Sequence, residues 1–251
     1  MSRFALIGYP VAGSLSPALF AAAYGGRWGY DLVETPSFDE AWKRFLAGYD
    51  CINVTAPFKL DAFARCDELS DAARQTGAVN LVLRQEGRTL GFNTDVDGVA
   101  GALQECPALA GPGAASALVV GTGGAARAAV VAALRLGLSV TVCGRSAAKV
   151  QAFSEAFGCR GLLLPALSDP AFHCPEIVIY TLPGSVMPCL SGHPFQEAIV
   201  LEAEYRQPAL AGSPCRAYIG GRRWLLWQAV AGYRLFTGEE PDGAAMEKAI
   251  V

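Results

Sequence analysis

The most constraining stretch of this chain runs from Ala117 to Ser146, ALVVGTGGAARAAVVAALRLGLSVTVCGRS. Ala117 to Val120 is a short apolar run that fits a buried parallel strand, and Gly121-Thr122-Gly123-Gly124 is a glycine turn. Ala125 to Leu136 holds neither Pro nor Gly and is rich in Ala, Leu and Arg, which favour helix. Gly137 is placed to end that helix. Ser139 to Cys143 is a second apolar, β-branched run. Strand, glycine turn, helix and strand make a βαβ unit, whose turn is where a pyrophosphate sits against the first helical N–H groups. The first two glycines allow a tight turn and close backbone approach. Ala126 holds the usual third glycine position and is small enough for helix to pack on strand. The bland alternative is an ordinary βαβ crossover whose glycines serve packing; the placement between strand and helix favours the dinucleotide reading.

The second strand of this unit ends in Cys143-Gly144-Arg145-Ser146, with Lys149 one turn on. A site for NAD carries an acidic residue about here, bonded to the ribose hydroxyls. No carboxylate stands between Gly121 and Ser154. A guanidinium, a hydroxyl and an ammonium stand there instead, and they suit a 2′-phosphate, so the expected cofactor is NADP(H). The competing reading is a solvated basic helix start.

A chain of 251 residues with 52% hydrophobic content can bury a large core, as one domain or two. The net charge of −3 offers no basic face for nucleic acid. Arg127 and Arg135 interrupt the best apolar stretch, so no membrane span is expected. The N-terminus runs straight into the strand-like Phe4 to Ile7 without the pattern of a signal peptide, and the expected location is cytoplasmic. The eight cysteines are scattered without a CxxC pair and read as buried cytosolic thiols. With only His173 and His193, a His-built zinc site is not expected.

Along the first half, strand and helix patterns alternate. Arg3 to Ile7 reads as a strand broken by Gly8-Tyr9-Pro10. In Gly13-Ser14-Leu15-Ser16-Pro17, Ser16 is placed to cap a helix with Pro17 at its first position. Ser14 is not needed for that cap, which leaves room for a hydroxyl pair facing a ligand. Tyr30 to Glu34 is a strand and Phe38 to Leu46 a helix. Cys51 to Thr55 is a third strand, stopped by Pro57. It brings Asn53, Thr55 and Lys59 to a strand's C-terminal end, where open α/β sheets bind ligands. Asp61 to Gln75 reads as one or two helices. Leu81 to Leu83 is a strand, followed by a hairpin turn at Gln85-Glu86-Gly87. Thr94 or Asp95 is placed to cap a helix from Val96 to Leu103. The Pro-, Gly- and Ala-rich Cys106 to Gly113 looks like a domain junction. Beyond Ser146, a helix from Ala147 to Phe157 and strands near Leu162 to Leu164, Ile177 to Tyr180 and Ile199 to Glu202 continue the dinucleotide sheet. Pro183-Gly184 and the Pro188 to Pro194 region read as loops. In the apolar helix Trp224 to Phe236, Gln228 is an uncharged amide that must bond a ligand or bridge backbone.

These fragments resemble the shikimate dehydrogenase family over nearly the whole chain. GYPVAGSLSP is similar to the family's N-terminal serine motif and CINVTAPFK to its NVTxPxK strand and loop. TGAVN and GFNTDVDG resemble its GAxN and NTDxxG segments, GTGGAARA its glycine loop, and GRSAAK its NADP-selecting NRTxxR. The resemblance implies an α/β protein of two domains. Residues 1–97 would form the substrate domain, with C-terminal helices in 222–251 packing back on it, and residues 98–221 a Rossmann-like NADP-binding domain. It implies Lys59 and Asp95 as catalytic residues and Ser14 and Ser16 as the substrate carboxylate's partners. Asn53, Thr55, Asn80, Tyr205 and Gln228 would be further substrate contacts. Gly121, Thr122, Gly123, Gly124 and Ala125 match the pyrophosphate loop, and Arg145, Ser146 and Lys149 the 2′-phosphate clamp. Ala203 and Gly221 match positions near the nicotinamide.

The chain departs from the family pattern at several points. The usual INATSxGM is Ile179-Tyr180-Thr181-Leu182-Pro183-Gly184, Lys149 replaces arginine, and Gly144 replaces asparagine. The GLGML segment is Gly221-Arg222-Arg223-Trp224-Leu225, which adds two cations near the expected cleft. The implied activity is NADPH-dependent reduction of 3-dehydroshikimate to shikimate, by a monomer or homodimer with a small-molecule substrate and no metal. Alternatives are a relaxed quinate/shikimate dehydrogenase and a non-catalytic dinucleotide-binding regulator.

Overall fold

The structure is a computed structural model, and it describes residues 3–109, 116–169, 171–183 and 195–250. Its first elements are β1 (Phe4–Gly8), α1 (Ser16–Ala23), β2 (Tyr30–Glu34), α2 (Phe38–Gly48), β3 (Cys51–Val54), α3 (Lys59–Arg65), β4 (Glu68–Leu69), α4 (Asp71–Thr76), β5 (Leu81–Gln85), β6 (Arg88–Phe92) and α5 (Asp95–Gln104). Then come β7 (Ser116–Val120), α6 (Gly124–Arg135), β8 (Ser139–Gly144), α7 (Ala147–Phe157), β9 (Arg160–Leu163), β10 (Ile177–Tyr180), β11 (Ile199–Glu202), β12 (Ala217–Ile219), α8 (Gly221–Thr237) and α9 (Gly243–Ala249).

Two compact units result, one of Met1–Asp95 with Leu226–Val251, the other of Val96–Leu225. The division falls within α5 and α8, not at the Pro- and Gly-rich stretch after Cys106. There Pro107–Leu109 forms a 3-10 turn that finishes α5, with Cys106 N–H donating to Leu103 O and Leu109 N–H to Cys106 O. The described part of that stretch is a helix ending; its remainder lies outside the described residues.

In the first unit the sheet order is β2-β1-β3-β5-β6-β4. β1 runs parallel to β2 and β3, and β5 runs antiparallel to β3. One apolar cluster joins Ile7, Val33, Trp42, Phe45, Ile52 and Val54. A second, aromatic cluster includes Phe4, Phe20, Tyr30, Tyr233 and Phe236, so helix α8 closes this unit's core. Because β1 and β3 are parallel neighbours, the loops that leave their C-terminal ends lie side by side. Thr55 N–H donates to Ile7 O at 3.0 Å and Tyr9 N–H to Ala56 O at 3.0 Å. This pairing brings the serine loop and the Thr55–Lys59 loop to one edge. The β5–β6 turn is left-handed at both Glu86 (φ 51°) and Gly87 (φ 79°), which matches the twist of paired strands.

In the second unit six strands run parallel in the order β12-β11-β10-β7-β8-β9. Read from the β9 edge, this is the doubly wound order, and the chain reverses direction across the sheet between β7 and β10. The glycine turn that follows β7 therefore opens at the switch point. Two strands escape the sequence reading, β4 and β12. Each is too short to show alternation, and each pairs at a sheet edge. β12 adds a strand beyond Ile199–Glu202, which the sequence reading takes as the last.

Candidate active site

Lys59 opens α3 and Asp95 opens α5. Lys59 Nζ donates to Asp95 Oδ2 at 2.6 Å, with only 21% and 12% of the two side chains exposed. A cation in the first turn of a helix opposes the helix dipole, so the carboxylate facing it supplies the compensation. Of the two residues expected at the cap of this helix, Asp95 is excluded, while Thr94 stands immediately before the first helical residue. Asp95 lies inside the helix, and the acceptor for its N–H is Asn93 Oδ1 at 3.1 Å.

The serine pair also departs from expectation. α1 begins at Ser16 itself, with Leu15 before it and no side-chain cap bond. It is Ser14 whose Oγ accepts the Ser16 N–H, at 3.2 Å, while donating to Ser16 Oγ at 3.1 Å. Ser16 is thus released from the capping role, because Ser14 takes the backbone donor. Both hydroxyls are held together, and the Ser16 hydroxyl lies beside the phenols of Tyr30 and Tyr233. Tyr233 Oη donates to Ser16 O at 3.0 Å. The loop that carries the pair is tied down by Glu34, whose Oε2 accepts the N–H groups of Val11 and Ala12 at 2.7 and 2.8 Å.

The amides form one network. Tyr30 Oη donates to Asn53 Oδ1 at 2.7 Å, and Asn53 Nδ2 donates to Asn80 O at 3.3 Å. Asn80 Oδ1 accepts Thr94 N–H at 2.8 Å, and its Nδ2 reaches Thr94 Oγ1 at 3.2 Å and Gln228 Oε1 at 3.4 Å. Gln228 therefore bridges to Asn80, and the network ends one residue before Asp95. Burial pushes the Tyr30 and Tyr233 phenols well above the ordinary tyrosine range, so both stay neutral donors. Thr55 is half-buried, and its hydroxyl has no partner among the described residues.

In the second unit, Gly121 sits at φ 126°, and a Cβ there would stand 2.2 Å from Thr181 Oγ1. Only glycine fits. Thr181 Oγ1 donates to Val120 O at 2.8 Å and so walls the turn, at the altered segment after β10. α6 starts at Gly124 behind Gly123, without a side-chain cap, and the space over Gly123 is open. The first N–H groups of that helix, beside Thr122 and at Gly124 and Ala125, thus have no side-chain acceptor. Arg145 and Lys149 are exposed and have no partner among the described residues. Ser146 Oγ caps α7 by accepting Lys149 N–H at 3.4 Å. Arg223 pairs with Glu105, its Nε donating to Oε2 at 3.0 Å, while Arg222 is exposed. Pro183 ends the described part of the altered segment; Gly184 and the expected loop from Pro188 to Pro194 lie outside the described residues.

Ala203 N–H donates to Tyr180 O at 2.8 Å, and a Cβ on Gly221 would meet Ala203 O at 2.4 Å. The two backbones touch, which explains the glycine. Tyr205, expected with the substrate contacts, belongs to this second unit rather than to that of Lys59. Its loop is anchored by the fully buried Glu202, which accepts from Ala209 N–H at 2.6 Å, Leu210 N–H at 3.1 Å and Tyr218 Oη at 2.7 Å. Burial pushes the thiols of Cys51, Cys66 and Cys143 up to about 12 and that of Cys174 to about 11, which disfavours their thiolates. No group of three or more His, Cys, Asp or Glu able to hold a metal occurs among the described residues.

Sequence reasoning misses Tyr30, Glu34, Asn93, Glu202 and Tyr233. The bonds of Tyr30, Glu34 and Tyr233 join segments distant in the chain and leave no local pattern. Asn93 has a local signal, since an Asx side chain two residues before a helix's first N–H is a common acceptor.

A doubly wound sheet with a glycine turn at its switch point, joined to a second α/β unit with an ammonium–carboxylate pair among hydroxyls and amides, defines a two-unit α/β dehydrogenase. The sequence matches the shikimate dehydrogenase substrate binding domain over residues 6–82. It is 36% identical over 266 aligned residues, covering 99% of this chain and 97% of the relative, to a shikimate dehydrogenase (NADP(+)) of Thermus thermophilus. The chain belongs to the shikimate dehydrogenase family. Among solved structures, it superposes with a TM-score of 0.83 on a Thermus thermophilus shikimate 5-dehydrogenase in complex with NADP(H) and shikimate, at 32% identity, covering 100% of this chain and 98% of the other. The quinate dehydrogenase of Corynebacterium glutamicum in complex with NAD also gives a TM-score of 0.83, at 26% identity, covering 99% and 98%. The fold is thus shared by proteins of both specificities.

Proposed function

We propose that this chain is an NADP-dependent oxidoreductase that interconverts shikimate and 3-dehydroshikimate, acting in the cell as the NADPH-dependent reductase of aromatic amino-acid biosynthesis. The observation that carries this reading is the largely buried Lys59–Asp95 pair at 2.6 Å, set among amides and hydroxyls that suit a small polyhydroxy acid.

The second unit fits a phosphorylated dinucleotide. The uncapped start of α6 and the open space over Gly123 leave donors for a pyrophosphate at Thr122 to Ala125, while Gly121, whose N–H donates to Cys143 O, makes the turn. Arg145 and Lys149, exposed and without partners among the described residues, suit a 2′-phosphate together with the Ser146 hydroxyl. Ala203 and Gly221 would offer backbone beside the nicotinamide. When bound, the cofactor donates or accepts the hydride.

The remaining chemistry falls to the chain's own side chains. In the reductive direction the substrate's ketone oxygen gains negative charge, and the Lys59 ammonium stabilises it and delivers a proton. Asp95 orients that ammonium and accepts a hydrogen bond from the neighbouring substrate hydroxyl. Ser14 and Ser16 hold the carboxylate. Asn53, Thr55, Asn80 and Gln228 meet ring hydroxyls. The unpaired thiols and the absence of a long apolar helix among the described residues agree with a cytoplasmic location.

Quinate carries an extra hydroxyl on the carbon that bears the carboxylate, and it would crowd the Ser14–Ser16 corner. Steady-state rates with shikimate and quinate, each with NADP+ and NAD+, test the assignment. Shikimate with NADP+ is expected to give the highest kcat/KM, about 10- to 100-fold above shikimate with NAD+. Comparable use of quinate would favour the relaxed dehydrogenase. Cofactor binding without turnover of any pair would favour a regulator.

A further inference from the structure

We infer that Asn93 is a positioning residue for this reaction: it ties the backbone of Asp95 to the same buried peptide that holds the backbone of Lys59. The inference rests on the reading of Lys59 and Asp95 as the proton-handling pair.

Asn93 is 2% exposed, and its amide is bonded at both ends. Oδ1 accepts Asp95 N–H at 3.1 Å, while Nδ2 donates to Ala78 O at 3.0 Å and to Thr76 Oγ1 at 2.9 Å. The peptide between Ala78 and Val79 is the shared reference. Its carbonyl accepts from Asn93, and its N–H, that of Val79, donates to Lys59 O at 2.9 Å. Ala78, Val79 and Thr76 are fully buried, so this peptide has little freedom to shift. Through one peptide plane, the first residue of α3 and the first residue of α5 are held in register. Their side chains then meet at 2.6 Å without a search through rotamers.

A plain helix-start role would need only an acceptor for Asp95 N–H, which serine or aspartate also provides. Neither gives what is seen here. Serine is too short to reach Ala78 as well, and a carboxylate cannot donate to a carbonyl. The amide is used at both ends, and the donor end has no part in capping α5.

The test compares Asn93→Ser and Asn93→Ala with the parent enzyme, each with and without Lys59→Ala, measuring kcat and KM for shikimate and NADP+ together with Tm. Misplaced reacting groups lose rate steeply, so both variants should lower kcat about 10-fold, with both KM values within about twofold. In the Lys59→Ala background the same substitutions should cost no further rate, because residues acting as a unit are not additive. Parent-level kcat in Asn93→Ser with only a lower Tm would overturn the inference, as would a full multiplicative loss on top of Lys59→Ala. Parent-level kcat in Lys59→Ala alone would overturn the reading of the pair, and the inference with it, and is distinguished by needing no Asn93 variant. If neither Asn93 variant folds, Asn93→Asp decides: it keeps an acceptor for Asp95 N–H, removes the donor to Ala78 O and should lower kcat about 10-fold, whereas unchanged kcat would overturn the inference.

Discussion

In the unit built on β1 to β6, nearly every side chain proposed to meet the substrate is already bonded to another protein group: Lys59 to Asp95, Ser14 to Ser16, Asn53 to Tyr30, and Asn80 to Thr94 and Gln228. In the unit built on β7 to β12, the groups proposed to meet the cofactor stand without side-chain partners among the described residues: Arg145, Lys149 and the first N–H groups of α6. Burial explains the difference. Buried polar atoms must be satisfied or they cost stability, so the substrate groups are fixed in a network that a ligand re-bonds. Exposed cations are satisfied by water and wait for a phosphate. The first unit should therefore discriminate by geometry, and the second by charge, with the sensitivity to salt that exposed charge brings.

The contrast can be broken in order of effect. Asp95→Asn removes the charge that faces Lys59 and should lower kcat by about 100-fold or more. A cap at the start of α5 would tolerate that change, because asparagine caps about as well. A near-parent kcat would therefore return Asp95 to a structural role. Next, Arg145→Ala should remove most of the preference for NADP+ over NAD+, a change of about 10- to 100-fold in the kcat/KM ratio. In the parent, KM for NADP+ should rise with ionic strength while KM for shikimate changes little. Equal salt dependence of the two would erase the distinction between the units. The smallest effects belong to the serines. Ser14→Ala and Ser16→Ala should each raise KM for shikimate by about fivefold, the loss of roughly 1 kcal/mol of hydrogen bonding. Only Ser14→Ala should also lower Tm, since Ser14 alone accepts the N–H of Ser16. A drop in Tm confined to Ser16→Ala would contradict the hydrogen bonding described here.

The same contrast decides what the sequence reveals. The dinucleotide half is written locally: a glycine turn between strand and helix, and a basic turn after the next strand. The bounds of α7, β10 and β11 follow from apolar runs and glycine stops with hardly a residue's error. The substrate half is legible only in part. Its strand and helix patterns alternate clearly, but its site is made by contacts between distant segments. Tyr30 reaches Asn53 across β1, and Tyr233 reaches back to Ser16. No spacing rule predicts such bonds. The helix starts at Ser16 and Asp95 mislead because a polar residue before an apolar run looks like a cap. In both places the cap-like bond comes from two residues earlier, Ser14 and Asn93, which leaves the better-known residue free for chemistry.

The central claim is that Lys59 supplies the proton in a folded, substrate-binding enzyme. Single-turnover and steady-state kinetics of Lys59→Ala with shikimate and NADP+, alongside its Tm and its affinity for NADP+, test it most directly. The account predicts a fall in kcat of about 10²- to 10⁴-fold, with KM changed far less and with parent-like Tm and NADP+ affinity. A folded Lys59→Ala protein that turns over shikimate at close to the parent rate would contradict it.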